Sequence, residues 1–173
     1  MPDAAKVLAA LSACVQCQDD RDALAFRAVT EVHAAMPQAH WTGIYWLEGD
    51  VLTLGPYFGP ETEHVRIPVG VGVCGTAIAE GKDQVVPDVR TRENYLACST
   101  TTRSEIVVLI RSHGKIQGQI DVDSDQVNAF SEDDLGFLRM VAGALGSLLE
   151  LVPAAAAKRA ADPKRESNDA PRT

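Results

Sequence analysis

The sequence predicts an α+β fold with an antiparallel sheet, and three observations carry that expectation. Two helical stretches open the chain, strand-like runs with turn signals fill its middle, and one long amphipathic stretch follows them. Neighbouring strand-like runs are joined by short turns, which suits antiparallel pairing. An antiparallel sheet with its helices collected on one face is the economical way to bury such a set of elements.

Residues 3–18 and 21–36 read as helices, with Asp19-Asp20-Arg21-Asp22 as the junction and cap. Leu24, Phe26, Val29, Val32 and Met36 recur at spacings a helix gathers toward one side. Trp41–Leu47, aromatic and branched, reads as a strand, and Glu48-Gly49-Asp50 turns the chain into a second at Val51–Pro56. After Val65–Pro68, residues 72–80 form a short helix that Gly81 stops. Gln84–Pro87 is a short strand, and residues 88–103 form a connection long enough to suggest function. Ile106–Ile110 and Ile116–Val122 pair as a hairpin through Ser112-His113-Gly114-Lys115. Ser131 and Asp134 make a capping box for the last helix, whose Leu135, Leu138, Val141, Ala142, Leu145, Leu148 and Leu149 form an apolar stripe.

Composition bounds the function. At 173 residues the chain is expected to hold one domain, residues 1–151, followed by a disordered tail, residues 152–173. That domain divides into two N-terminal helices, 3–36, and a core, 37–151. The net charge is −8; five bases against three acids leave +2 on the tail, so residues 1–151 carry −10. So acidic a surface argues against nucleic acid. No apolar run is long enough to span a membrane, and the first residues lack a secretory pattern. Four cysteines at unequal spacing suit a reducing compartment, so the expectation is a cytoplasmic protein.

The chemistry-bearing residues lie in polar or glycine-rich stretches. Cys74 stands in Gly72-Val73-Cys74-Gly75 and Cys98 in the long connection, where thiol chemistry in a pocket is the natural reading. Gln119, Asp121 and Asp123 share one face of a strand, the two carboxylates roughly 7 Å apart. That pattern admits a pocket or a solvated sheet edge, and Glu105, before Ile106, reads most simply as a strand-start acid facing water. Trp41 and Tyr45 share a face, as core or as a pocket wall, and Trp46 points the other way. Cys14 and Cys17 have CxxC spacing but lie in a helical stretch without a second ligand pair, so they read as packing rather than as a metal site.

From Trp41 to Leu149 these segments together resemble a GAF domain, and more narrowly the free methionine-(R)-sulfoxide reductases, which are small stand-alone GAF proteins. The resemblance rests on Trp41-Thr42-Gly43-Ile44-Tyr45, Arg66-Ile67-Pro68, Gly72-Val73-Cys74-Gly75-Thr76-Ala77, Ala97-Cys98, Ser104-Glu105-Ile106-Val107-Val108 and Ile120-Asp121-Val122-Asp123-Ser124. It implies a short helix and long loop over a ligand pocket, Cys98 as the catalytic thiol, and Cys74 as a cysteine able to join it in a disulfide. It further implies Trp41, Glu105, Asp121 and Asp123 as substrate-holding residues, with Tyr45 beside Trp41; crowding within the Glu105, Asp121 and Asp123 group would leave one of them, Glu105 and Asp123 foremost, as a proton donor. The implied reaction reduces free L-methionine-(R)-sulfoxide through a sulfenic acid and a disulfide, without cofactor or metal. A thioredoxin-type reductant and a homodimer go with it. The chain departs from the family pattern at His64, where a further cysteine is usual, at Asn94-Tyr95-Leu96, and at Leu109, where proline is common. A non-catalytic GAF sensor of small ligands or redox state is the alternative.

Overall fold

The computed structural model describes residues 4–16, 20–92 and 101–151. Its elements run α1 (Ala4–Gln16), α2 (Arg21–Ala35), β1 (Trp41–Glu48), β2 (Val51–Phe58), β3 (Arg66–Pro68), α3 (Gly72–Glu80), β4 (Gln84–Val86), β5 (Ser104–Ser112), β6 (Lys115–Ser124) and α4 (Glu132–Leu148). A single 3-10 turn, Val89–Thr91, follows β4. One six-stranded sheet has the order β3-β2-β1-β6-β5-β4, and every pairing is antiparallel. β1 and β6 lie at its centre, and the two edges are three-residue strands too short to invite pairing with another chain.

Strand alternation divides the sheet into two chemically different faces. Ile44, Trp46, Ile106, Val108, Ile110, Ile120 and Val122 meet α1, α2 and α4 in the main core, together with Leu11, Leu24, Val29, Leu138 and Leu145. Each of these large side chains, fully buried, contributes about 1.5–3 kcal/mol. The opposite face carries Trp41, Tyr45, Val107 and Leu109 under α3. Three helices pack on one face, and the short helix α3 covers the other, where a short helix over a pocket was expected.

Local signals explain the element ends. Asp20 caps α2 by accepting from the N–H groups of Asp22 and Ala23 at 3.1 and 2.9 Å. Ser131 and Asp134 form the reciprocal capping box of α4. Gly81 ends α3 in the left-handed region at φ 62°.

Three expectations are corrected. Phe26 is not in the α2 stripe: it is 53% exposed and leans on Phe58, with ring centroids 6.0 Å apart. Two positions from Leu24 it lies nearly opposite on the helix. β2 runs on through Pro56 to Phe58, because the pairing with β1 shifts between Gly43 and Tyr45 and leaves Pro56 at the irregularity. A proline is tolerated there since no ladder hydrogen bond needs its N–H. β5 and β6 extend beyond their apolar runs to Ser104 and Ser124, so Glu105 lies inside a strand rather than at its start. At Leu109, the backbone N–H donates to Asp83 Oδ1 at 3.0 Å, a bond a proline has no hydrogen to make.

Candidate active site

Three parallel rows of side chains cross the sheet under α3. Asp123 on β6 stands between Trp41 of β1 and Glu105 of β5; Asp121 stands between Gly43 and Val107; Gln119 stands between Tyr45 and Leu109. The rows follow from antiparallel register and two-residue alternation alone. They put three carboxyl groups from the neighbouring strands β5 and β6 under one short helix.

Glycines shape the space around them. A Cβ on Gly43 would come within 2.2 Å of the Trp41 ring, so the missing side chain lets the indole lie across β1. Trp41 stacks on Tyr57 at 5.6 Å between centroids and tilts against Tyr45 at 6.1 Å, making an aromatic wall beside the acids. The hydroxyl of Tyr45 donates to the carbonyl of His64 at 3.0 Å. On the other side, a Cβ on Gly75 would sit 2.5 Å from the Pro68 carbonyl, so glycine lets α3 press down on the chain after β3. The N–H of Gly70 donates to the carbonyl of Gly75 at 2.8 Å and fastens that approach. The glycine after Cys74 therefore brings the thiol down to the sheet.

Cys74 is buried, and its thiol donates to Asp121 Oδ2 at 3.2 Å, with Glu105 Oε1 at 3.8 Å. Glu105, Asp121 and Asp123 are at most 2% exposed. Among the described residues no lysine or arginine forms an ion pair with any of them. Burial, and then repulsion from Asp121 and Asp123, hold the Glu105 carboxyl well above the usual range. Burial, and then Asp121, do the same to Asp123. Asp121 is pushed up to about 7 by burial, opposed by the hydrogen bond it accepts from Cys74. The Oδ1 atoms of Asp121 and Asp123, both amide atoms of Gln119 and the indole N–H of Trp41 are buried with no hydrogen-bond partner among the described residues. Orphaned buried polar atoms are rare in native folds, and a group of them on one face marks a surface built to receive a polar ligand.

The solvated-edge reading of Asp121 and Asp123 and the water-facing reading of Glu105 are overturned. β6 is a central strand, and Glu105 is bracketed by Val86 and Asp123 on the neighbouring strands. Trp41, Tyr45, Cys74, Glu105, Asp121 and Asp123 come together as one cluster. Cys98 and Cys17 lie outside the described residues, while Cys14 packs in the main core. Gln119, placed on the acid face by alternation, was not singled out as a candidate; a polar residue in phase with the two acids was the available signal. One donor atom each from Cys74, Glu105 and Asp121 lies within 4.8 Å of the others, the one group of this kind among the described residues.

The chain matches the GAF domain family, whose model covers residues 20–149. The chain is 38% identical over 145 residues to protein YtsP of Bacillus subtilis strain 168, covering 83% of this chain and 88% of that one. It is 37% identical over 118 residues to the free methionine-R-sulfoxide reductase of Escherichia coli K12, covering 68% and 71%. A solved structure of the free methionine-R-sulfoxide reductase from Neisseria meningitidis, in complex with its substrate, superposes with a TM-score of 0.78 at 35% identity, covering 86% and 89%. The chain belongs to the GAF domain family and, within it, to the free methionine-R-sulfoxide reductases.

Proposed function

We propose that this protein reduces free L-methionine-(R)-sulfoxide to methionine, with Cys98 as nucleophile. The observation that carries the reading is the buried set of Glu105, Asp121 and Asp123, ion-paired to no lysine or arginine among the described residues, beside an aromatic wall. A free amino acid brings an ammonium to such a site, whereas a peptide-bound methionine lacks one. The relatives named above support the same substrate.

In this scheme the carboxylates that ionise hold the ammonium, and the S-methyl group rests against Trp41 and Tyr45. The carboxyl that keeps its proton, Glu105 or Asp123, donates a hydrogen bond to the sulfoxide oxygen, since closely spaced acids do not all ionise. The Cys98 thiolate attacks the sulfoxide sulfur. The sulfur gains two electrons and leaves as the thioether, and the oxygen, with one proton, remains on Cys98 as a sulfenic acid. The Cys74 thiol then attacks the Cys98 sulfur, forming the disulfide and releasing water, and two thiols of a thioredoxin-type reductant reopen it. We further read the chain as a cytoplasmic homodimer, with residues 1–151 as its single domain. Exposed Phe26 on α2 and Met140 on α4 support pairing through those helices.

The test is turnover of both free epimers and of a peptide-bound sulfoxide with dithiothreitol. Reduction of the free R epimer alone supports the proposal. Equal turnover of both epimers, or none, overturns it; binding of the sulfoxide without turnover under any reductant assigns the pocket to a sensor.

A further inference from the structure

We propose that the same buried cluster is an inhibitory site for a thiophilic divalent cation, zinc or cadmium, bound by Cys74 Sγ and one carboxylate oxygen each of Glu105 and Asp121. The geometry is already close to what such an ion requires. Zinc bonds of about 2.3 Å to sulfur and 2.0–2.2 Å to oxygen, at tetrahedral angles, separate the two donors by about 3.6 Å. The Cys74 sulfur lies 3.2 Å from Asp121 Oδ2 and 3.8 Å from Glu105 Oε1, on either side of that value. All three mutual separations are within 4.8 Å.

Two further observations point to a cation. The remaining oxygen of Asp121, Oδ1, is buried and has no hydrogen-bond partner among the described residues, and neither does Oδ1 of Asp123, two residues along the strand. No lysine or arginine among the described residues is ion-paired to the three acids. The donors are also fixed in place: α3 is held against Pro68 through Gly75, and β5 and β6 are register neighbours through Glu105 and Asp123. A thiolate among the donors selects zinc or cadmium over magnesium or calcium, which prefer all-oxygen sites. Three protein ligands leave a fourth position for water. Binding exchanges the thiol proton, released to solvent, for a sulfur–metal bond, and no electrons move.

The ion occupies the ground assigned above to the substrate's ammonium; its competition with substrate rests on that reading, but its binding does not. The experiment titrates the reduced, chelator-washed full chain with cobalt(II) under anaerobic conditions. The expected result is a thiolate-to-cobalt charge-transfer band that zinc removes by displacement. The band is retained in the Cys14→Ser/Cys17→Ser double variant and in Cys98→Ser, and is lost in Cys74→Ser. Asp121→Asn and Glu105→Gln, each melting cooperatively, weaken binding by at least about 10²-fold, more than an outer-shell partner usually does. In Cys98→Ser, which lacks the thiol that the sulfoxide oxidises, free methionine sulfoxide raises the apparent dissociation constant of cobalt in proportion to its concentration. A band that persists in Cys74→Ser, or cobalt affinity unchanged in both acid variants, overturns the site. A normal band with no sulfoxide competition keeps the metal site and removes the substrate reading instead.

Discussion

The hydroxyl of Tyr45 donates to the backbone carbonyl of His64 at 3.0 Å, so the segment that holds His64 is tied to the pocket wall. His64→Cys is expected to raise the thioredoxin-coupled rate and leave the dithiothreitol rate unchanged, measured as steady-state turnover with each reductant. An unchanged thioredoxin-coupled rate would mean that this position does not serve the recycling step. Tyr45→Phe should cost about 1 kcal/mol of stability, the usual value of one such bond, in a chemical melt.

The cysteines are expected to separate by role. Cys98→Ser abolishes turnover with every reductant, and Cys14→Ser and Cys17→Ser leave it near wild type. Cys74→Ser keeps the dithiothreitol rate and loses most of the thioredoxin-coupled rate. After one equivalent of sulfoxide, mass spectrometry should find a Cys74–Cys98 linkage; a stable sulfenic acid on Cys98 in the wild-type chain rules that pairing out.

Asp123→Asn and Glu105→Gln should each lower kcat/KM by roughly 10²-fold, the scale of losing a positioned acid. Neither should lower the melting temperature at pH 8, since each removes an acid that folding must bury either charged without a counter-ion or with a proton taken up. Loss of stability in step with activity would show that these acids serve the fold rather than the site.

Stability is expected to fall as pH rises across neutrality. Asp121 titrates near 7 in the folded chain against an ordinary 3.8, so between those values the folded state holds a proton that the unfolded chain has lost. Folding then takes up a proton, and its free energy weakens with each step up in pH. The contribution is complete below about pH 4 and lost as the pH passes about 7; the raised carboxyls of Glu105 and Asp123 act in the same direction. Melting temperatures across this range, with Asp121→Asn as the flatter comparison, give the check.

Gly75→Ala should raise α3 from the chain after β3, because the added methyl would meet the Pro68 carbonyl at 2.5 Å. Overpacking of this kind costs about 1–3 kcal/mol. Activity should drop further than stability, since Cys74 moves with the helix. Wild-type kcat/KM in Gly75→Ala would show that the close approach is not needed.

Local rules made much of this legible. Two-residue alternation put Gln119, Asp121 and Asp123 on one face and Trp41 with Tyr45 on one face, and both hold. The capping box at Ser131 and the stop at Gly81 are also as local chemistry predicts. What escaped is long-range. That β6 lies at the centre of the sheet depends on strand order, which no window of residues contains, so its acids passed equally well for a wet edge. Glu105 was read from its flank, and its burial comes from β4 on one side and β6 on the other. The bond between Cys74 and Asp121 joins residues 47 apart in sequence, and only the topology brings them together. The position of Cys98 falls outside the described residues.

β6 carries Ile120 and Val122 into the main core and Asp121 and Asp123 into the pocket, residue by residue in alternation. A deletion or insertion of one residue between Gly118 and Ser124 would exchange the two sets. It would drive carboxyl groups into the apolar layer and aliphatic groups under α3, so fold and chemistry would fail together. On β6, descendants of this chain can therefore retune the pocket by substitution only. Changes of length are confined to places such as the Ser112–Lys115 turn and the stretch between β2 and β3, where no alternating register has to be kept.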